Sequence, residues 1–165
     1  RRVRAGEGPG QPVVTLARRG RRLGVDVGDV RIGVASCDPD GLIATPVETV
    51  AAGPGSIARL AEIAAEYEVI ELVVGLPLSL SGRDGPAAVK VRAFAAELAV
   101  AVSPTSVRLV DERMSTMTAD VQLRESKRTG KNKRAVIDQV AATVILQSAL
   151  DAERVRGEAP GERVQ

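Results

Sequence analysis

With 165 residues, 44% of them hydrophobic and only Tyr67 and Phe94 aromatic, the chain has room for one domain with a core of Val, Leu, Ile and Ala. The absence of histidine excludes Ser-His-Asp catalysis and His-ligated zinc, and the single Cys37 excludes an internal disulfide framework and Cys-cluster metal sites. The net charge of +2 is uneven: residues 1–22 hold seven arginines and one acid, and the 16 basic and 20 acidic residues that follow leave the body at −4.

Residues 1–20 mix Gly, Pro and Arg without a sustained period and read as a mobile basic arm. RLGVDV at 22–27 is the first strand, and Gly28-Asp29 turns the chain into a second, RIGVASC, at 31–37. A Pro39-Asp40-Gly41 turn leads to a third at about 43–50. Such short turns imply an antiparallel meander. A helix follows from Ser56 to Tyr67, with Ile57, Leu60, Ala61 and Ala64 on one face. VIELVVGLP, 69–77, reads as a fully buried strand, and the polar loop LSLSGRDG comes after it. The next helix, about 86–102, opens on Pro86 and buries Val91, Phe94, Ala95 and Leu98. Strand SVRLVD spans 106–111, and two helices are expected at about 115–126 and 134–151. Strands alternating with helices imply parallel crossovers. The expected fold is therefore α/β, a five-stranded mixed sheet over residues 21–151 with helices packed on it. Residues 152–165, with Gly157 and Pro160, read as a polar tail.

No apolar run approaches the ~20 residues of a membrane span, and no signal-type segment follows the basic start. A soluble cytoplasmic protein is expected. Too few aromatics are present for a base-stacking platform. Six Lys/Arg against Glu125 lie between Arg124 and Arg134, so attraction of a polyanion is local, although a solvated loop would have the same composition.

Three acids are candidates for chemistry. Alternation in the first strand places Leu23, Val25 and Val27 on one face and Gly24, Asp26 and Gly28 on the other. Asp26 thus stands over bare backbone, with room for a metal ion or a phosphate oxygen; a solvated Asp before a turn would look the same. Glu112 follows a buried strand within Val-Asp-Glu-Arg. Its neighbour Asp111 suits the start of the next helix, and Arg113 can pair with either acid or hold a phosphate. Asp138 borders a helix face of Val136, Ile137, Val140, Ala141, Val144 and Ile145, and Arg134 one turn earlier can balance its charge. Periodicity does not show whether the three converge. Brought together, three carboxylates form an oxygen-rich site for Mg²⁺ or Mn²⁺, suited to phosphodiester hydrolysis. The loop containing Gly75, Ser79, Ser81 and Gly82 reads equally as a phosphate contact or an ordinary strand-to-helix turn.

DVGDVRIGVA (26–35), VVGLPLSLSGRDGPAA (73–88), VDERMSTMTA (110–119) and IDQVAATVILQ (137–147) resemble, in order, the signature blocks of the YqgF family, also called RuvX. The resemblance covers about residues 22–151. It implies a ribonuclease-H-like sheet and a divalent-metal nuclease. The activities associated with the family are 5′-end processing of pre-16S rRNA and Holliday junction resolution. Position by position, Asp26, Glu112 and Asp138 match the family's catalytic, metal-holding acids. Arg31, Arg113, Lys131, Lys133 and Arg134 match positions expected to face nucleic acid. The basic arm departs from the family's usual start. Phosphate contacts, and not stacked bases, would hold pre-rRNA or branched DNA. A junction has two scissile strands, which implies a homodimer. Cys37 reads as an inert buried strand residue, with an intermolecular disulfide the minority reading. Two other classes share parts of the pattern. An actin-like phosphate-binding fold would need a second subdomain, and a non-catalytic nucleic-acid or ribosome-assembly factor would not need the three acids.

Overall fold

A computed structural model describes residues 18–115 and 133–165. Six strands form one sheet in the order β3-β2-β1-β4-β5-β6. β1 (Arg22–Val27), β2 (Arg31–Cys37) and β3 (Ala44–Ala51) make the antiparallel meander. β4 (Glu71–Leu76) lies parallel to β1, and β5 (Ser106–Asp111) lies parallel to β4. The carboxyl ends of β1, β4 and β5 therefore share one end of the sheet. The helices are α1 (Ser56–Glu66), α2 (Pro86–Val102) and α3 (Lys133–Arg156), and a 3₁₀ turn, Glu112–Ser115, follows β5. The helix expected at 115–126 lies outside the described residues, apart from its first residue. So does the arm, apart from its last three.

Strand alternation divides the core in two. Leu23, Val25, Ile32, Val34, Leu72, Val74 and Leu109 pack with Leu60 and Ile63 of α1 and Val91, Ala95 and Leu98 of α2. Phe94 of α2 is only half-buried. The opposite face buries Ala35, Cys37, Val73 and Val110 under α3. The α3 stripe is Ala142, Ile145, Leu146, Ala149 and Leu150, a helical spacing shifted toward the C-terminus from the expected one. Val136, Ile137, Val140 and Ala141 are half-buried.

The sheet has one strand more than the five expected. α3 continues to Arg156, and β6 (Glu162–Arg163) returns antiparallel to β5. Strand propensity over two polar residues is negligible, so β6 is held by contacts that are distant in sequence. Val164 N–H donates to Val107 O at 2.8 Å, Arg92 pairs with Glu162 at 2.7 Å, and Arg108 donates to Pro160 O at 3.4 Å.

At the opposite end of the sheet from the β5 terminus lies a buried charge network. Arg22 and Glu71 are each 1% exposed and Glu153 4%. Arg22 donates to Glu153 Oε2 at 2.5 Å, and Arg18 bridges Glu153 and Glu71 at 2.7 and 2.8 Å. Ser106 and Arg108 complete the shell of Glu71 at 2.8 and 3.1 Å. Burial raises the Glu71 carboxyl, but the hydrogen bonds from Arg18, Arg108 and Ser106 prevail and hold it below its usual value. The network ties the end of the basic arm, the sheet and α3 together.

Candidate active site

Helix α3 crosses the sheet over glycines. A Cβ on Gly33 would sit 1.8 Å from the Asp138 carbonyl oxygen, and one on Gly24 would sit 2.6 Å from that of Ala142. The space above Gly24 that the sequence offered to an ion is thus filled by the helix backbone. This close approach sets Asp138 against β2. On β4, a Cβ at Gly75 would meet Ile145 at 2.6 Å and Glu112 Oε2 at 3.1 Å, so the bare backbone there admits the Glu112 carboxylate.

Asp26 lies near the carboxyl end of β1, Glu112 directly after β5, and Asp138 in the second turn of α3. Burial first, then the charges of Glu112 and Asp138, push the Asp26 carboxyl up to about 6. Glu112 is also raised, by burial and by the charge of Asp111. The tertiary structure therefore brings Asp26 within the field of two further carboxylates, Glu112 and Asp138. Arg31 from β2 supplies local compensation, its Nε donating to Asp138 Oδ2 at 2.8 Å. The sequence pointed to Arg134 for that role; the side chains of Lys133 and Arg134 lie outside what is described, as does Lys131 entirely.

Asp111 sits at the start of the 3₁₀ turn. Its carboxylate accepts from the Arg113 N–H at 3.0 Å and from Arg113 Nη2 at 2.5 Å, which holds it below its usual range. Arg113 also donates to the carbonyls of Ser79 and Leu80, both at 3.2 Å, and so fastens the β4–α2 loop to the end of β5. In that loop the Ser79 and Ser81 hydroxyls bond each other at 2.9 Å. Sequence reasoning did not identify a cavity of about 220 Å³ beside Glu112, walled by Val110, Ile145, Ala149, Pro160 and Arg156. Its walls come from β5, α3 and the C-terminal segment, and no local pattern joins them.

Hard oxygen donors without nitrogen or sulfur fit Mg²⁺ or Mn²⁺, and a cation would offset both the burial and the neighbouring charges that raise Asp26. Among the described residues, however, no three acids or cysteines form one ready coordination sphere, and Asp138 is engaged by Arg31. Arg31 engages only Oδ2 of Asp138, so a cation would take Oδ1 or exchange the guanidinium at Oδ2.

A mixed sheet with an antiparallel meander followed by two parallel strands defines a ribonuclease-H-like fold. The RuvC structure from T. thermophilus in complex with a Holliday junction superposes with a TM-score of 0.62, covering 85% of this chain and 98% of that one at 18% identity. That likeness concerns the fold. The family model described as RuvX, Holliday junction resolvase, matches residues 20–152. Proteins named "Putative pre-16S rRNA nuclease" in Streptomyces avermitilis and Streptomyces coelicolor are 63% and 62% identical over 150 residues. These alignments cover 90% of this chain and 96% and 90% of those relatives. The chain belongs to the RuvX family of nucleases. No helix among the described residues is long and apolar enough to cross a membrane.

Proposed function

We propose that this chain is a divalent-cation-dependent endonuclease that cuts structured nucleic acid, with Asp26, Glu112 and Asp138 as its catalytic carboxylates. The observation that carries this reading is the half-buried Asp26 at the end of the sheet, which burial and the charges of Glu112 and Asp138 push up to about 6. These three residues would hold Mg²⁺ or Mn²⁺. When bound, such a cation neutralises charge at the scissile phosphate and makes a water a better nucleophile. Arg31, once exchanged from Asp138, is placed to take a phosphate oxygen. Arg113 keeps its hold on the β4–α2 loop, while Lys131, Lys133 and Arg134 add phosphate contacts that set the register of the substrate.

The substrate favoured is the 5′ end of precursor 16S rRNA, because relatives 51–63% identical carry that name. Branched DNA is the second reading, supported by the description of the matching family, and it would require a homodimer to cut both strands.

A cleavage panel with Mg²⁺ or Mn²⁺ tests both readings, using pre-16S rRNA fragments, four-way junctions, duplexes and single strands. Asp26→Asn should lower cleavage of the preferred substrate by about 100-fold or more, since even outer partners of a metal site are worth 10–100-fold. Binding of that substrate should survive. Equal cutting by wild type and Asp26→Asn, both purified free of contaminating nucleases, would refute the catalytic role of Asp26, and a wild type that cuts no substrate of the panel would leave a non-catalytic assembly factor as the better account.

A further inference from the structure

Leu80, at the tip of the β4–α2 loop, is 99% exposed. A lone exposed leucine on a soluble surface is ordinary. This one differs in how it is held and in what it adjoins. Ser79 N–H donates to Arg83 O at 3.0 Å, Gly82 N–H donates to Ser79 O at 2.8 Å, and Arg83 N–H donates to Ser79 Oγ at 3.2 Å. Gly82 adopts φ 79, a left-handed conformation that closes the turn at little cost to glycine. Leu78 and Asp84 bridge below it, and Arg92 on α2 grips Asp84 at 2.5 Å. Arg113, the residue after Glu112, donates to the Leu80 carbonyl itself. The fastening therefore uses backbone and polar groups and leaves the leucine side chain in water.

The surroundings indicate an occupant. Val30, 67% exposed in the β1–β2 turn, and Val89, 60% exposed in the first turn of α2, add apolar surface at the same end of the sheet. Lys90 and Asp29 join those two elements at 3.7 Å. Arg83, also exposed, makes no ion pair among the described residues and lies within the same loop. An apolar tip held by its backbone, with Arg83 and Arg113 beside it and close to the carboxylates proposed to act on phosphodiesters, matches what is needed to enter a stack of bases. The cations hold the backbone while the apolar side chain replaces a stacked neighbour.

We propose that Leu80 is a wedge that inserts between adjacent bases of the bound nucleic acid, unstacking the step near the scissile phosphate and bending the strand toward Asp26 and Glu112. The inference rests on the nuclease reading above and adds a positioning residue to it.

The test uses the full chain and a structured substrate carrying 2-aminopurine at successive steps around the cleavage position. Binding of wild type in EDTA should raise the fluorescence at one step. Leu80→Ala should bind with a Kd within about 3-fold of wild type, lose that rise, and cut with kcat lowered about 10-fold. Its melting temperature should be unchanged, because the side chain touches no core. Leu80→Phe should restore both fluorescence and kcat, a rescue that general loosening of the loop would not give. Leu80→Ala with normal fluorescence and normal cleavage would overturn the wedge while the nuclease reading stands. A wild type that shows no rise at any step would overturn it as well. A Leu80-dependent rise in a protein that cuts nothing would support the wedge and sink the nuclease reading, so the two failures are distinguishable.

Discussion

Replacing Asp26 by Asn should make the protein more stable at neutral pH. Raising a carboxyl from 3.8 to about 6 corresponds to about 3 kcal/mol in favour of the neutral form. The half-buried side chain retains some screening by water, so about 2–3 kcal/mol is expected. The sign follows from proton binding. Between pH 3.8 and about 6 the folded chain keeps a proton that the unfolded chain has released, so wild type loses stability as pH rises through that window. Above it the penalty is complete. Asp26→Asn carries no ionisable group there and lacks this slope. Urea denaturation in EDTA at pH 8 should place the variant above wild type by that amount, with a melting temperature about 5–10 °C higher for a domain of this size. At pH 4 the gap should close. Adding Mg²⁺ or Mn²⁺ at pH 8 should raise wild type and leave the variant nearly unmoved, because Asn lacks the carboxylate proposed to hold the cation. A variant no more stable than wild type at pH 8 in EDTA would falsify the claim that burial and the neighbouring acids disfavour the ionised Asp26 carboxylate.

Three further outcomes are expected. Gly33→Ala places a methyl 1.8 Å from the Asp138 carbonyl oxygen, so α3 must lift from β2; thermal melting should show a loss of about 1–3 kcal/mol, and cleavage should fall because Asp138 is displaced. Glu153→Ala removes the partner of the buried Arg22 and should cost about 3–5 kcal/mol in urea unfolding, whereas an unaltered midpoint would show that the network is dispensable. In the wild type, Glu71 is depressed below 4.5, so its contribution is present above that pH and should fade on acidification, visible as a falling midpoint in acid titration.

Much of the architecture was legible from local pattern. Period-two alternation assigned Leu23 and Val25 to one face and Asp26 to the other, and short Gly/Asp turns fixed the meander. Pro86 marked the start of α2. The ordered blocks around Asp26, Gly75, Glu112 and Asp138 pointed to the family. These signals arise within a dozen residues, where backbone geometry and hydrophobic period act directly. What lay outside them joins distant segments. The Arg31–Asp138 pair spans 107 residues, and the Arg22–Glu153 pair spans 131. Neither has a spacing that a helix or strand repeats.

The sequence by itself determined which residue types are available for chemistry: carboxylates and guanidiniums, without imidazole and with one buried thiol. It also determined which strand faces carry them. Only the tertiary structure decided that α3 lies directly on Gly24 and Gly33, that Asp138 is met by Arg31, and that β6 closes the sheet edge. The reason is that close approach and charge compensation depend on distances between chain segments, and those distances exist only after the two layers of helix have packed against the sheet.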